Sequence, residues 1–208
     1  MKKIMFNDRF GLTEKVLEGN KTQTRRIIPQ SVIDKMEELR VEYYNMTFDA
    51  LTTKESLYHY FFVEKNLGKL PYKVGEIVAV AQSYKEVFGE GCGKESEAGY
   101  NNKMFVKPEL MPHQIQITGI KIERLQDISE EDCIKEGVCF HDNPSVDHKY
   151  DPYTPWPYYV KPYRHDIDNI RHFCKARFAY AYLIDKINGK GTWEANPWVF
   201  AYDFKLIK

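Results

Sequence analysis

The sequence predicts a mixed α+β domain: a small β-barrel with flanking helices and with helical and loop insertions. Three observations carry this. Short β-rich runs recur along the chain, bounded by glycine, proline and asparagine. Few helical stretches separate them, which argues against a doubly wound parallel sheet and for an antiparallel or mixed barrel. The 208 residues are 43% apolar, which fits one domain, residues 1–208, with a substantial core.

Taken in order, Lys3 to Phe6 is a short apolar run and reads as a strand. Phe10, Val16 and Leu17 suggest a short helix that stops at Gly19, since glycine accepts the left-handed backbone that ends a helix. Lys21 to Ile28 is rich in Thr and Ile and reads as a strand ended by Pro29. From 31 to 66, Val32, Ile33, Met36 and Leu39, then Leu57, Tyr60 and Phe61, recur at helical spacing, which predicts a helical insertion. Val74-Gly75-Glu76 turns the chain into a buried strand, Ile77 to Ala81. The glycine- and asparagine-rich stretch 88–103 is a loop.

Ile115, Ile117, Ile120 and Ile122 mark a strand running to Leu125, with an irregularity at Gly119. Ser129 caps a short helix whose first turn holds Glu130, Glu131 and Asp132, and Gly137 ends it. Residues 140–165 hold many prolines and aromatics, which exclude a regular helix or an interior strand and predict an ordered flap. Arg171 to Ile187 reads as an amphipathic helix stopped by Asn188-Gly189, and Trp198 to Ile207 alternates as a last strand. The strands at 21–28, 77–81, 115–124 and 198–207 are expected in one curved sheet. Insertions fall at about 30–70 and 138–165.

Lysine plus arginine equals aspartate plus glutamate at 30 each, so the formal charge is zero. A protein that grips long nucleic acid by its phosphates shows a basic excess. A single nucleotide, a nucleoside or one flipped base fits this balance better than a duplex. The start, MKKIMFNDRF, lacks the apolar run of a signal peptide, and no stretch approaches the ~20 apolar residues of a membrane helix. With four cysteines and no C-x-x-C pair, the reading is a reducing cytoplasm and no membrane partner. Cys139-x-His141 and His172-x-Cys174 have the ligand types for zinc but not the spacing of a finger or ribbon. No metal or other cofactor is expected, and the deaminase signature, a phosphate-cradling glycine loop and G-x-S-x-G are all absent.

The most informative segment is Gly19-Asn20-Lys21-Thr22-Gln23-Thr24-Arg25-Arg26. On a regular strand Lys21 and Thr24 point to opposite faces, so joint action requires Lys21 in the turn beside Gly19. A lysine held next to a hydroxyl in a dry pocket can lose its proton and serve as a base. The same alternation lets at most one of Arg25 and Arg26 face the pocket, where it would meet a phosphate, and Arg25 is the favoured one. Tyr153 and Trp156, in the proline-rich flap with Tyr158 and Tyr159, are packing residues or a stacking surface for a base.

The segment resembles the G-x-K-x-x-x-R signature of ASCH domains, relatives of the PUA RNA-binding fold. Val74-Gly75-Glu76-Ile77 resembles that family's turn into a barrel strand, and Arg124 to Gly137 its strand-to-helix segment. Trp193-Glu194-Ala195-Asn196-Pro197-Trp198-Val199 resembles the ending of a larger phage and bacterial branch. The resemblance leaves out roughly residues 30–70 and 138–165. It implies a PUA-like barrel that binds a modified nucleoside, a nucleotide or RNA. A small bacterial branch removes the acetyl group from the exocyclic amine of acetylcytidine, without a metal. Its lysine, threonine and glutamate fall on Lys21, Thr24 and Glu136. The resemblance therefore implies either such an amidohydrolase or a non-catalytic module for RNA or a modified base. Arg25, Arg26, Tyr153 and Trp156 are the candidate substrate contacts that the residues themselves offer.

Overall fold

The computed structural model describes residues 1–46, 59–68, 70–140, 158–160 and 170–207. Its centre is a five-stranded mixed sheet in the order β1-β3-β4-β8-β2. These strands are β1 (Lys2–Ile4), β2 (Gln23–Ile27), β3 (Ile77–Val80), β4 (Gln114–Arg124) and β8 (Trp198–Leu206). The four strands expected to share a sheet do so, and β1 joins them in parallel with β3.

β4 and β8 form the long antiparallel spine, in register from Ile115↔Leu206 to Arg124↔Trp198. The register shifts between Ile117 and Gly119, where the sequence predicts an irregularity. A side chain at Gly119 would have its Cβ 3.0 Å from Asp203 Oδ2, so glycine lets the bulge close against β8. β8 is buried on both faces from Val199 to Tyr202. Ile4, Val78, Ile115, Ile117, Ile122, Phe200, Tyr202 and Phe204 belong to one continuous core.

β1 and β2 are the edges of this sheet. Among the described residues no strand ladder joins them; the chain after β1 approaches β2 through Arg26, whose Nη2 donates to the Met5 carbonyl at 2.6 Å.

Helices flank the sheet: α1 (Leu12–Leu17), α2 (Gln30–Met46), α3 (Tyr84–Phe88), α4 (Glu130–Lys135), α5 (Ala176–Asn188) and α6 (Thr192–Ala195). The insertion after Pro29 is helical as expected, with α2 and a π-helical turn at His59–Glu64 that buries Phe61. Helix α3 was not expected. It starts at a capping box in which Ser83 and Glu86 bond reciprocally, a signature the sequence does carry.

Two expectations are corrected. Residues 140–165 were expected to hold no interior strand, yet β6 (Tyr158–Val160) is the middle of a three-stranded sheet with β5 (Cys139–Phe140) and β7 (Arg171–Phe173). Tyr158-Tyr159-Val160 is a proline-free stretch of strand-forming residues, long enough to pair on both sides. The helix expected from Arg171 begins only at Ala176, because Arg171 to Phe173 are taken by pairing with β6.

Candidate active site

Lysine 21 reaches the site from a turn rather than a strand. Helix α1 ends at Leu17, Gly19 takes φ +77°, and the amides of Asn20 and Lys21 both donate to the Lys15 carbonyl. Strand β2 begins two residues later, at Gln23. The alternation rule that would separate Lys21 from Thr24 therefore does not apply.

Glutamate 136 arrives from the opposite side. The Ser129 hydroxyl accepts the Asp132 amide and opens α4, and Glu136 is the residue on which α4 ends. Gly137 then takes φ +103°. A Cβ at Gly137 would lie 3.0 Å from Leu12 Cδ2 and 3.4 Å from Lys15 Cδ, so the helix end can press against α1 only with glycine there. Two clamps hold the contact: Lys15 Nζ donates to the Gly137 carbonyl at 2.6 Å, and the Thr22 amide donates to the Lys135 carbonyl at 3.0 Å.

The two side chains meet. Lys21 Nζ donates to Glu136 Oε2, to the Glu136 carbonyl and to the Gln23 carbonyl, each at 2.7 Å. Lys21 is 2% exposed and Glu136 4%. Burial lowers the Lys21 pKa to about 8, against the opposing pull of the Glu136 charge. An ammonium has three donors, and all three are used here.

Arginine 25 does not take the role the sequence suggested. Its guanidinium is buried and all five of its N–H donors are spoken for. Nε and Nη2 bond Glu123 Oε1 at 2.9 and 2.6 Å, Nη2 also reaches Asp132 Oδ2 at 3.3 Å, and Nη1 bonds Glu136 Oε1 at 3.1 Å and the Gln23 side-chain oxygen. Against the opposing effect of burial, the Glu136 and Glu123 carboxylates hold the pKa of Arg25 above its ordinary value. No donor is left for a phosphate, so Arg25 is a positioning residue that fixes Glu136.

Arg26 is the arginine with capacity to spare. Its Nη2 holds the Met5 carbonyl, its guanidinium carbon lies 5.9 Å from the centre of the Phe6 ring, and its buried Nε has no hydrogen-bond partner among the described residues. Both arginines border the cleft, contrary to the expectation of at most one. β2 is an edge strand, so the cleft wraps around it and meets both of its faces.

That cleft has a volume of about 260 Å³ and runs between β2, the segment 5–12 and helix α5. Lys21, Thr24, Arg26, Glu136 and Tyr180 line it. Its size falls just below the ~300–1,000 Å³ of sites for drug-sized ligands, which suits a ligand built around one base. Thr24 is buried in the wall, and its hydroxyl makes no hydrogen bond to Lys21 or Glu136. Tyr153 and Trp156 lie outside the described residues.

Sequence reasoning missed Tyr180, Glu123 and Gln23. Tyr180 reads as one more apolar position on an amphipathic helix, and nothing in the sequence marks it as lining a cleft. Glu123 takes a polar position in the alternation Ile120-Lys121-Ile122-Glu123, which reads as solvent-facing, so the sequence carried no signal of its burial. All four cysteines are free thiols, and among the described residues no three metal-ligating side chains cluster. His141 lies outside those residues.

No family model, no curated protein and no solved structure matches the chain.

Proposed function

We propose that the chain is an ASCH-type domain of PUA-like fold whose cleft removes an acyl group from the exocyclic amine of a cytidine-type nucleoside. The observation that carries the reading is Lys21: a buried lysine with a pKa lowered to about 8, hydrogen-bonded to Glu136, in a base-sized cleft that also contains Thr24. A buried amine tuned toward neutrality beside a hydroxyl is the arrangement that activates a nucleophile. The open five-stranded sheet, with α1 and α4 meeting at the site, is compatible with this fold.

In the reaction, neutral Lys21 takes the Thr24 proton as Oγ1 bonds to the acyl carbon. The tetrahedral adduct collapses, the C–N bond breaks, and the Lys21 ammonium returns that proton to the departing amine. Water then attacks the acyl ester and gives its proton to Lys21. The acyl carbon–Oγ1 bond breaks as Lys21 returns that proton to Thr24 Oγ1, so a carboxylic acid leaves and both the Thr24 hydroxyl and neutral Lys21 are restored. Glu136 holds Lys21 by its carboxylate and its carbonyl, and Arg25 holds Glu136. Arg26 has a donor to offer a carbonyl oxygen in the cleft. Side chains and water suffice for every step.

A second reading is a binding module for RNA or a modified base. The filled hydrogen-bond capacity of Lys21 and the absence of a Lys21–Thr24 bond favour it. The two part on one experiment. Purified protein is incubated with acetylcytidine and release of cytidine is followed. The hydrolase reading expects turnover that disappears in a folded Lys21→Ala variant. Binding of nucleosides without turnover leaves the binding module.

A further inference from the structure

We infer that the free edge of β2 reads the base: the main-chain N–H of Arg25 donates to ring nitrogen N3 of a cytidine-type ligand, and the Arg25 carbonyl accepts the N–H of its exocyclic amine. The inference rests on the nucleoside reading and adds to it the groups that recognise the ring.

The pairing of β2 fixes where its main chain points. In an antiparallel ladder the two residues of a hydrogen-bonded pair exchange both bonds, and the next residue along turns both of its groups to the other side. The Phe204 amide donates to the Thr22 carbonyl and the Ile28 amide to the Trp198 carbonyl, each at 2.9 Å. The register between them is unbroken, with Thr24 opposite Tyr202 and Arg26 opposite Phe200. The even-numbered residues therefore bond β8. Gln23, Arg25 and Ile27 turn their amides and carbonyls to the side where β2 has no neighbouring strand. The Gln23 carbonyl is already used on that side, where it accepts Lys21 Nζ. Among the described residues nothing bonds the main-chain amide or carbonyl of Arg25 or of Ile27.

This edge faces the cleft. Thr24, Arg25, Arg26 and Ile27 all line it, and four consecutive strand residues meet one cavity only along an edge. Arg25 is 5% exposed while its side chain is 0% exposed, so the surface it keeps is main chain. A main-chain donor and acceptor so nearly buried are almost always bonded, and an open sheet edge takes up a ligand through these groups.

The occupant is a ring edge. The cleft, about 260 Å³, holds a base and not an added strand. The donor and acceptor of one extended residue lie side by side, so the ligand must carry an acceptor beside a donor. Cytosine carries N3 beside its exocyclic N–H, and acylation of the amine leaves one N–H in place. The Gln23 carbonyl that holds Lys21 lies two residues up the same edge, so a base paired with Arg25 sits next to the amine proposed to act on it.

The test compares cytidine with 3-deazacytidine, in which C–H replaces N3, and follows the Arg25 amide by NMR. Calorimetry on wild type should show 3-deazacytidine binding roughly 3- to 10-fold more weakly, the loss of one neutral hydrogen bond. The Arg25 amide proton should move downfield with cytidine and stay in place with 3-deazacytidine. Ile27→Pro adds a second arm: it removes an N–H that the ladder does not use, so β2 stays paired, and its ring covers the edge beside the Arg25 carbonyl. Cytidine affinity should fall at least about tenfold in that variant. Equal affinity for the two nucleosides, an Arg25 amide that cytidine does not move, or unchanged affinity in folded Ile27→Pro overturns the assignment; with acetylcytidine turnover intact in wild type, the proposed reaction stands. Ligand-free protein that is dimeric as wild type and monomeric as Ile27→Pro shows β2 paired with a second copy and overturns it too. Wild type that does not bind cytidine sinks the inference, and if it also leaves acetylcytidine intact the nucleoside reading falls with it.

Discussion

Replacing Glu136 with glutamine keeps the shape of the side chain and removes its charge, and the structure fixes how the stability should respond to pH. In the wild type the folded-state pKa of Lys21, about 8, lies below its unfolded value of 10.5. Between those values the folded protein binds fewer protons, so this group's contribution to stability rises with pH and is lowest below about 8. Glu136 is the charge that keeps the pKa from falling further. In Glu136→Gln it falls well below 8, and Lys21 is neutral near pH 7. One pH unit of protonation, about 1.4 kcal/mol, is lost there relative to wild type. Weakened hydrogen bonds to Lys21 and Arg25 add about 1–2 kcal/mol at every pH. The total near pH 7 is about 3 kcal/mol, at the low end of the ~3–5 kcal/mol for breaking a buried pair, because lysine can shed its proton. By about pH 9.5 both proteins carry neutral Lys21 and the gap should narrow by about 1 kcal/mol. Urea unfolding of both proteins at the two pH values measures this. A gap that stays constant, or widens with pH, refutes a Lys21 that titrates near 8 under the influence of Glu136.

Arg25→Leu should be the most damaging change near the site, costing about 3–5 kcal/mol in chemical unfolding, because it leaves Glu123, Glu136 and Asp132 without their shared cation. Gly137→Ala forces an alanine to φ +103° against Leu12, and should lose at least about 1–2 kcal/mol of stability while lowering turnover, as the Glu136 carboxylate is pushed off Lys21. The pH profile of kcat/KM on acetylcytidine should rise about tenfold per pH unit below the Lys21 pKa and level off above about 8, since the neutral amine is the working form; a flat profile from pH 6 to 9 would remove Lys21 as the base.

The sheet was legible because its strands announce themselves locally. Ile115 to Ile122 alternates up to Gly119 and resumes beyond it, and the bulge sits between Ile117 and Gly119. The Ser129 cap and the Gly137 stop were equally local, and they bracket the helix that delivers Glu136. What sequence could not supply were the long-range partners. Arg25 looked like a free cation because Glu123 and Asp132 stand about a hundred residues away in the chain, and only the fold brings them to it. Alternation along β2 separated Arg25 from Arg26 correctly by face, but it carried no sign that β2 is a sheet edge with a cleft around it. Tyr158 to Val160 was hidden by the prolines on either side, which dominate any reading of that stretch although the three residues pair freely.

Thr24 is the residue on which the hydrolase account turns, since it would carry the acyl group while Lys21 and Glu136 only move and hold a proton. Steady-state release of acetate from acetylcytidine, compared among wild type, Thr24→Ser and Thr24→Ala, tests this most directly. The account predicts turnover in wild type, retained turnover in the serine variant and none above background in the alanine variant, with all three folded. Acetate release by Thr24→Ala at the wild-type rate, or no release by wild type, would contradict it.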